Sequence, residues 1–441
     1  MGAAPLLAQA ATTRGERVLQ LLTHDDPPQA DPNMTLAARP LHVELLVDLL
    51  DAEAAAAHAV AWRELAANCL EPNVFFEPGF ALAAARHLAK SRPPRFLFVW
   101  DRSPNRQSKL VAVCPLAPSG RFGRLLPTWV WTHEQAPLGT PLLDPVQAEA
   151  ALAAILAYCR THLPHVTGLM FPLLPQEGPV ARLLRASAEA ETRGIQLYAA
   201  HQRAILSAGS APKRYLEQSI GSARRRKLNK ARKSLEARGT LALRTVRDPH
   251  GLDDATEAFL VLEAKGWKGE RGTALLKSAD RSAFARELAA DLGRDGKYFV
   301  ARLDLDEQPI AMALMLESGG RAFWWKITYD EDYAAFAPGF LLALEMTGAL
   351  LEHPQIGLTD SCTGGEQPMM IDHIWSERMA IADMLVAVAA NRPQRFDAIA
   401  KAEELRRTLR SRLKEIVLRL RQRKRDRRLS RQDGQKSSGT E

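Results

Sequence analysis

Residues 322–360 read AFWWKITYDEDYAAFAPGFLLALEMTGALLEHPQIGLTD. FWWKITYD (323–330) is rich in aromatic and β-branched residues, which predicts a strand. EDYAAFAPG (331–339) reads as a loop closed by the turn signal Pro338-Gly339. An apolar helix follows over Phe340–His353, then a short strand, IGLTD (356–360). A helix opening at this point directs free N–H groups and the positive end of its dipole past the end of the strand, as phosphate sites do. Pro-Gly alone is also an ordinary turn, so what flanks the stretch decides its meaning.

The flanks are antiparallel strands. YFVARLDLD (298–306) and PIAMALMLES (309–318) form a hairpin, preceded by a strand at 241–248 and helices over Gly251–Ala264 and Ser282–Gly293. A short helix around Glu366–Trp375 and a strand at 378–388 follow. The first half repeats this order: a strand at 41–49, helices over Asp51–Leu70 and Pro78–Ala89, a hairpin (95–101, 110–116) and a strand at 127–132. A helix over Gln147–His162, a strand at 166–171, a helix over Gly178–Glu191 and a strand at 195–206 complete it. The repeat lies in element order, not residue identity. It predicts an α/β fold with mixed sheets in two similar domains, 41–207 and 208–390. A leader (1–40) rich in Ala and Pro is expected to be disordered. The loop before the helix suits phosphate better in the second half (AFAPGF) than in the first (APLGTP).

Composition excludes several classes. Among 441 residues, 46% hydrophobic and 25% charged is ordinary for a globular chain. The four cysteines are widely spaced, with no CxxC or Cys/His cluster, so neither a disulfide framework nor a metal site is expected. No apolar run approaches 18 residues and the N-terminus lacks a basic, apolar leader, so a cytoplasmic protein is expected. Of the net charge of +8, residues 392–441 carry +10, with 17 Lys and Arg against 7 Asp and Glu. The first 391 residues stand at −2, which weakens a nucleic-acid reading of the whole.

Residues 222–390 resemble the CelD/BcsL-like acetyltransferases of the GNAT superfamily, associated with bacterial cellulose and envelope polysaccharide biosynthesis. The likeness rests on RRRKLNKARKSLEARG (224–239), LEAKGWKGERGTAL (262–275), LDEQPIAMALML (305–316), KITYDEDYAAFAPG (326–339) and DSCTGGEQPMMIDHIWSER (360–378), in that order. The first half resembles the same proteins more loosely. The group is also similar in fold to the FemABX peptidyltransferases, which use two such domains and aminoacyl-tRNA. The resemblance implies tandem GNAT-like domains. It also implies transfer of an acyl group from acetyl-CoA or another acyl-CoA to an amine or hydroxyl of a saccharide or envelope precursor, without a metal.

Such a transfer needs a phosphate site, a donor to the thioester oxygen and a base. Backbone N–H groups of the central strand around Lys326–Tyr329 are the expected oxygen donors, with Ile327 and Thr328 beside the cofactor. Main-chain groups of Ala337, Gly339 and Phe340 are the expected phosphate ligands. The superfamily's usual glycine-rich loop is absent. Candidate bases are Asp360 and His373, then Tyr329 and Asp330 at the strand's end. Trp267, Lys268 and Arg271 of the Gly-rich segment GWKGERG, with Trp325 and Lys326, are the expected acceptor contacts. Neither a Gly-x-Ser-x-Gly elbow, a Walker A loop nor a His-Glu-x-x-His motif is present.

Two basic segments remain. The helix expected over 213–238 carries eight Lys and Arg from 224 to 238 against Glu236, either a solvated face or a platform for phosphate-bearing substrates, tRNA included. No aromatics interleave with those charges, which speaks against base stacking. The tail places Leu405, Leu409, Leu413, Ile416 and Leu420 on one helical stripe between arginines, and DGQKSSGTE (433–441) is expected to be unstructured. The stripe suits an anionic membrane surface, the protein body or a second copy. Three functions stand open: an acyl-CoA transferase, an aminoacyl-tRNA-dependent transferase, and a non-catalytic scaffold.

Overall fold

The computed structural model describes residues 44–437 apart from 104–106, 119–124, 164, 365–368 and 391–392, with side chains to residue 416. The expected leader over 1–40 lies outside the described residues. The first half comprises β1 (Leu45–Leu50), α1 (Ala52–Ala56), α2 (Ala59–Ala67), α3 (Pro78–Leu88), β2 (Arg95–Asp101), β3 (Lys109–Leu116), β4 (Thr128–Trp129), β5 (Leu142–Leu143), α4 (Ala148–His162), β6 (Gly168–Pro175), α5 (Pro179–Ala190) and β7 (Ile195–Ser207). Asp51 caps α1 by accepting the Ala54 N–H at 2.9 Å. Proline opens α3 and α5, where its missing N–H costs nothing. The single helix expected over 51–70 breaks before His58, whose ring packs 5.1 Å from that of Trp100.

The second half comprises α6 (Pro212–Ser219), α7 (Ser222–Glu236), β8 (Leu241–Val246), α8 (Pro249–Lys265), α9 (Trp267–Glu270), α10 (Ala279–Arg294), β9 (Tyr298–Leu305), β10 (Gln308–Ser318), β11 (Arg321–Tyr329), α11 (Pro338–Leu351), β12 (Leu358–Asp360), β13 (Glu377–Ala387) and α12 (Pro393–Ser437). The helix expected over 213–238 is two, because Ile220 turns into the core and Gly221 restarts the chain as the cap of α7. Of the short helix expected around 366–375, the described part is a 3₁₀ turn, Met370–His373. The tail helix continues to Ser437, past the start of the stretch expected to be unstructured.

Sheet order explains how the halves join. One sheet runs β1-β2-β3-β5 and the other β4-β6-β13-β7-β12-β11-β10-β9-β8, with a bridge between Leu116 and Val130 where they meet. Among the described residues only β4/β6 and β11/β12 are parallel. Each half gives its last strand to the other: β7 pairs with β12, β13 pairs with β6, and the two pair with each other. Element order in the sequence is therefore a repeat, but the sheet is shared across it. Side chains lock the join. Phe80 of α3 meets Phe284 of α10 edge-on at 5.3 Å, and buried Glu77 takes both Lys297 and Ser318. Ala204 and Leu206 of β7 sit in the core cluster of the second half with Trp324 and Leu342. Burying such side chains contributes on the order of 2 kcal/mol each.

Candidate active site

A bulge in β11 sets the site. β10 pairs Leu314 with Lys326 but Met315 with Trp324, so Trp325 is the extra residue. A bulge of this kind lets two successive side chains share a face. Trp324, Ile327 and Tyr329 pack towards α11, whereas Phe323 and Trp325 belong to the opposite core. Lys326 and Thr328 follow on the face of Trp325. On its other edge β11 pairs with β12 only from Arg321 to Phe323. Beyond Phe323 the two strands part, and that edge of β11 pairs with no other strand among the described residues.

A cavity of about 410 Å³ lies at the end of β11, lined on one side by Gly339 and Phe340 and on the other by Glu263, Trp267 and Lys268, with Thr328 and Tyr329 between. It therefore meets both faces of the strand. Pro338 begins α11 after Ala337, a non-glycine residue at φ 50° and ψ 53° with no side-chain cap. That left-handed conformation costs about 1 kcal/mol for alanine. Strain of this sort is held where surrounding structure enforces it, often at ligand sites. The Ala337 N–H donates to Ala334 (3.0 Å), and the Phe340 and Leu341 N–H groups both donate to the Ala337 carbonyl (3.0 and 3.2 Å). Pro338 has no N–H. Gly339 thus offers the one unpartnered first-turn donor among the described residues, where three main-chain groups were expected. A Cβ on Gly339 would lie 3.5 Å from the Tyr329 ring and 3.8 Å from Ile327, ordinary contact.

The basic helix borders this end. The Arg224 guanidinium lies 5.4 Å from the centroid of Phe340, Arg238 lies 4.4 Å from that of Phe336, and Arg232 pairs with Glu345 of α11. On the opposite side Lys268 bridges Glu263 (3.0 Å) and the Ile327 carbonyl (2.8 Å). Buried Glu263 also accepts the Leu275 N–H at 2.8 Å. The exposed Trp267 is held at its main-chain N–H, which donates to Glu331 (2.6 Å), with Arg271 4.8 Å from its ring. Lys326 has no carboxylate within ion-pair distance among the described residues. Its ammonium lies 5.0 Å from the Trp325 ring, and burial lowers its pKa to about 8, against a smaller opposing pull from Glu263.

The expected residues divide. Ile327, Thr328, Tyr329, Ala337, Gly339, Phe340, Trp267 and Lys268 all line the cavity. Asp360 does not. Its Oδ2 pairs with fully buried Arg203 at 3.2 Å and its Oδ1 accepts the Cys362 N–H at 2.7 Å. It stands beside Phe323, about 20 Å of strand from Tyr329. Asp330 caps the 3₁₀ turn after β11 and takes Lys265 on both oxygens at 3.0 Å. His373 is exposed, and both it and Lys326 lie outside the lining. Arg271 stands over the Trp267 ring but is not part of the lining. Trp325 is buried rather than turned to a ligand, its indole N–H donating to the Gln135 carbonyl of the first half at 3.0 Å.

Sequence reading missed Glu263, Arg203 and the Met369-Met370 wall of the cavity. The first two had a signal: Glu263 directly follows the apolar run FLVL (259–262), and Arg203 directly precedes the apolar run AIL (204–206).

No curated protein matches the chain in sequence. Among solved structures, FemX is similar at 12% identity over 76% of this chain and 97% of that one, with a TM-score of 0.49. A conserved protein of unknown function from Bacteroides thetaiotaomicron is similar at 9% identity over 78% and 100%, TM-score 0.48. A GCN5-related N-acetyltransferase from Kribbella flavida is similar at 11% over 78% and 71%, TM-score 0.29. Residues 222–367 match the acetyltransferase (GNAT) domain family. The segment that supplies the cavity from Glu263 to Phe340 is thus, within an α/β fold of mixed sheets, the segment that matches a GNAT-type acetyltransferase domain.

Proposed function

We propose that the chain is an acyltransferase taking an acyl group from acetyl-CoA, or another acyl-CoA, to an amine or hydroxyl of a saccharide or envelope precursor. The observation that carries this reading is the cavity across the end of β11. It joins the start of α11 to the Trp267 side through the gap left by β12. The residues suit coenzyme A: a free Gly339 N–H at a helix start, Arg224 beside it, and a largely apolar wall for the pantetheine arm. When bound, coenzyme A supplies the activated thioester. The free edge of β11 offers N–H donors to the oxygen that gains charge.

Lys326, next to the lining residue Ile327 but not itself part of the cavity lining, is the residue we assign to the proton. At a pKa of about 8, about a tenth of it is neutral at pH 7, against less than about one part in a thousand for an ordinary lysine. A neutral Lys326 Nζ accepts the proton released by the attacking amine or hydroxyl, and the ammonium so formed feels the carboxylates of Glu263 and Glu134, each offset by a cation, Lys268 and Arg281. Trp267, fixed by Glu331 and flanked by Arg271, provides a flat apolar face with a cation, as a sugar bearing anionic groups requires.

Thiol release from acetyl-CoA in the presence of amino sugars and glycan fragments tests the reading. Acceptor-dependent release supports it, and none from folded protein with any acyl-CoA counts against it. Arg224→Ala is expected to weaken acetyl-CoA binding about tenfold and to flatten its salt dependence, measured by calorimetry.

Helix α7 supports a second reading, since Arg225, Arg226, Lys230 and Lys233 are exposed or half-buried along it. Salt-sensitive binding of aminoacyl-tRNA with no acetyl-CoA binding would favour an aminoacyl transferase.

A further inference from the structure

Helix α12 has two parts. Its first turns lie on the body: Phe396 and Ile399 are buried with Met170 and Leu385, and the Tyr198 hydroxyl donates to the Ala400 carbonyl at 2.8 Å. Fully buried Glu403 accepts from Arg406 (2.5 Å) and Arg407 (2.6 Å), and Arg407 also reaches Asp383 at 2.8 Å. From Thr408 to Ile416 every side chain is exposed. Leu405, Leu409, Leu413 and Ile416 are 60, 50, 61 and 52% exposed. At about 100° per residue they occupy an arc of about 80°. The helix leaves the body carrying an apolar stripe with nothing packed on it among the described residues.

Charge decides what can cover that stripe. From Thr408 to Glu441 there are 12 Lys and Arg against 4 Asp and Glu. A second copy would set like charge against like charge, with no acidic block to answer it. A nucleic acid would answer the charge but leave four aliphatic side chains in water. An anionic bilayer surface takes both, the aliphatics entering the acyl boundary and the arginines meeting phosphate headgroups. No described helix is long and apolar enough to cross a membrane, so this contact would be peripheral. We propose that α12 beyond Arg407 lies on the surface of an anionic phospholipid bilayer, and that the clamp of Glu403 and Asp383 on Arg407 ties the body to it.

The test is flotation of the full chain with phosphatidylcholine vesicles, with and without phosphatidylglycerol, beside the charge-preserving variant Leu409→Asn/Leu413→Asn. Binding is expected only with phosphatidylglycerol, weaker when salt rises from about 0.1 to about 0.5 M. It should fall about tenfold or more in the variant, whose melting temperature should be unchanged because neither side chain is in the core. Three results overturn the proposal: no binding to anionic vesicles; equal binding by the variant, with RNA bound as well as lipid, meaning charge alone; or a dimer in sedimentation that the variant dissolves, meaning the stripe covers a second copy.

Discussion

Lys326→Met is expected to remove transfer and stabilise the fold at once. Loss of the proton carrier should lower kcat about 10²- to 10⁴-fold. The stability effect has the opposite sign because burial disfavours the charged amine and lowers the folded pKa from 10.5 to about 8. In the unfolded chain the amine stays charged up to its ordinary pKa, so below about pH 8 folding must bury a charge. That penalty fades as pH rises from about 8 to about 10.5 and is absent above, where both states are neutral. A depression of this size corresponds to about 3 kcal/mol. Because the side chain keeps some exposure, the expected gain on substitution is about 1–2 kcal/mol at pH 7. Urea titrations at pH 7 and pH 11 should show the gain only at the lower pH. Wild-type kcat should rise about tenfold per unit up to pH 8 and then level. A variant that keeps its activity removes Lys326 from the chemistry.

Asp360→Ala should act on the fold first. It leaves the Arg203 guanidinium buried without its carboxylate, a loss of about 3–5 kcal/mol. In a chain of this size that lowers the melting temperature by roughly 5 °C. The double substitution Arg203→Met/Asp360→Leu, which removes both charges, should recover most of the stability. Activity separates the roles. If the pair is structural, the double variant transfers within about threefold of wild type; if Asp360 is the base, it stays inactive however well it folds.

Much of the architecture is legible in the sequence because it depends on local patterns. Alternating apolar strands and Pro-opened helices give element order, and the Pro338-Gly339 break after FWWKITYD marks where the cavity forms. The exchange of β7 and β13 is not legible. IQLYAAHQRAIL reads as a buried strand whichever half it pairs with, and only tertiary packing selects β12. The bulge at Trp325 is hidden for a similar reason. Strict alternation would put Lys326 with Trp324 on the α11 face; one extra residue puts it with Trp325, beside Glu263. Asp360 looked catalytic because it ends a strand at the splay, and the pairing that occupies it comes from Arg203, 157 residues earlier.

The most direct measurement is calorimetric titration of acetyl-CoA into the full chain, beside Gly339→Ala and Gly339→Trp. The alanine methyl meets only ordinary contacts at Tyr329 and Ile327, so it should bind within about threefold of wild type. The indole of the tryptophan variant fills the cavity at the start of α11 and should abolish binding with little change in melting temperature. Binding by wild type and Gly339→Ala, lost only in Gly339→Trp, is the predicted result. No binding by folded wild type, or undiminished binding by Gly339→Trp, would contradict an acyl-CoA site at the end of β11.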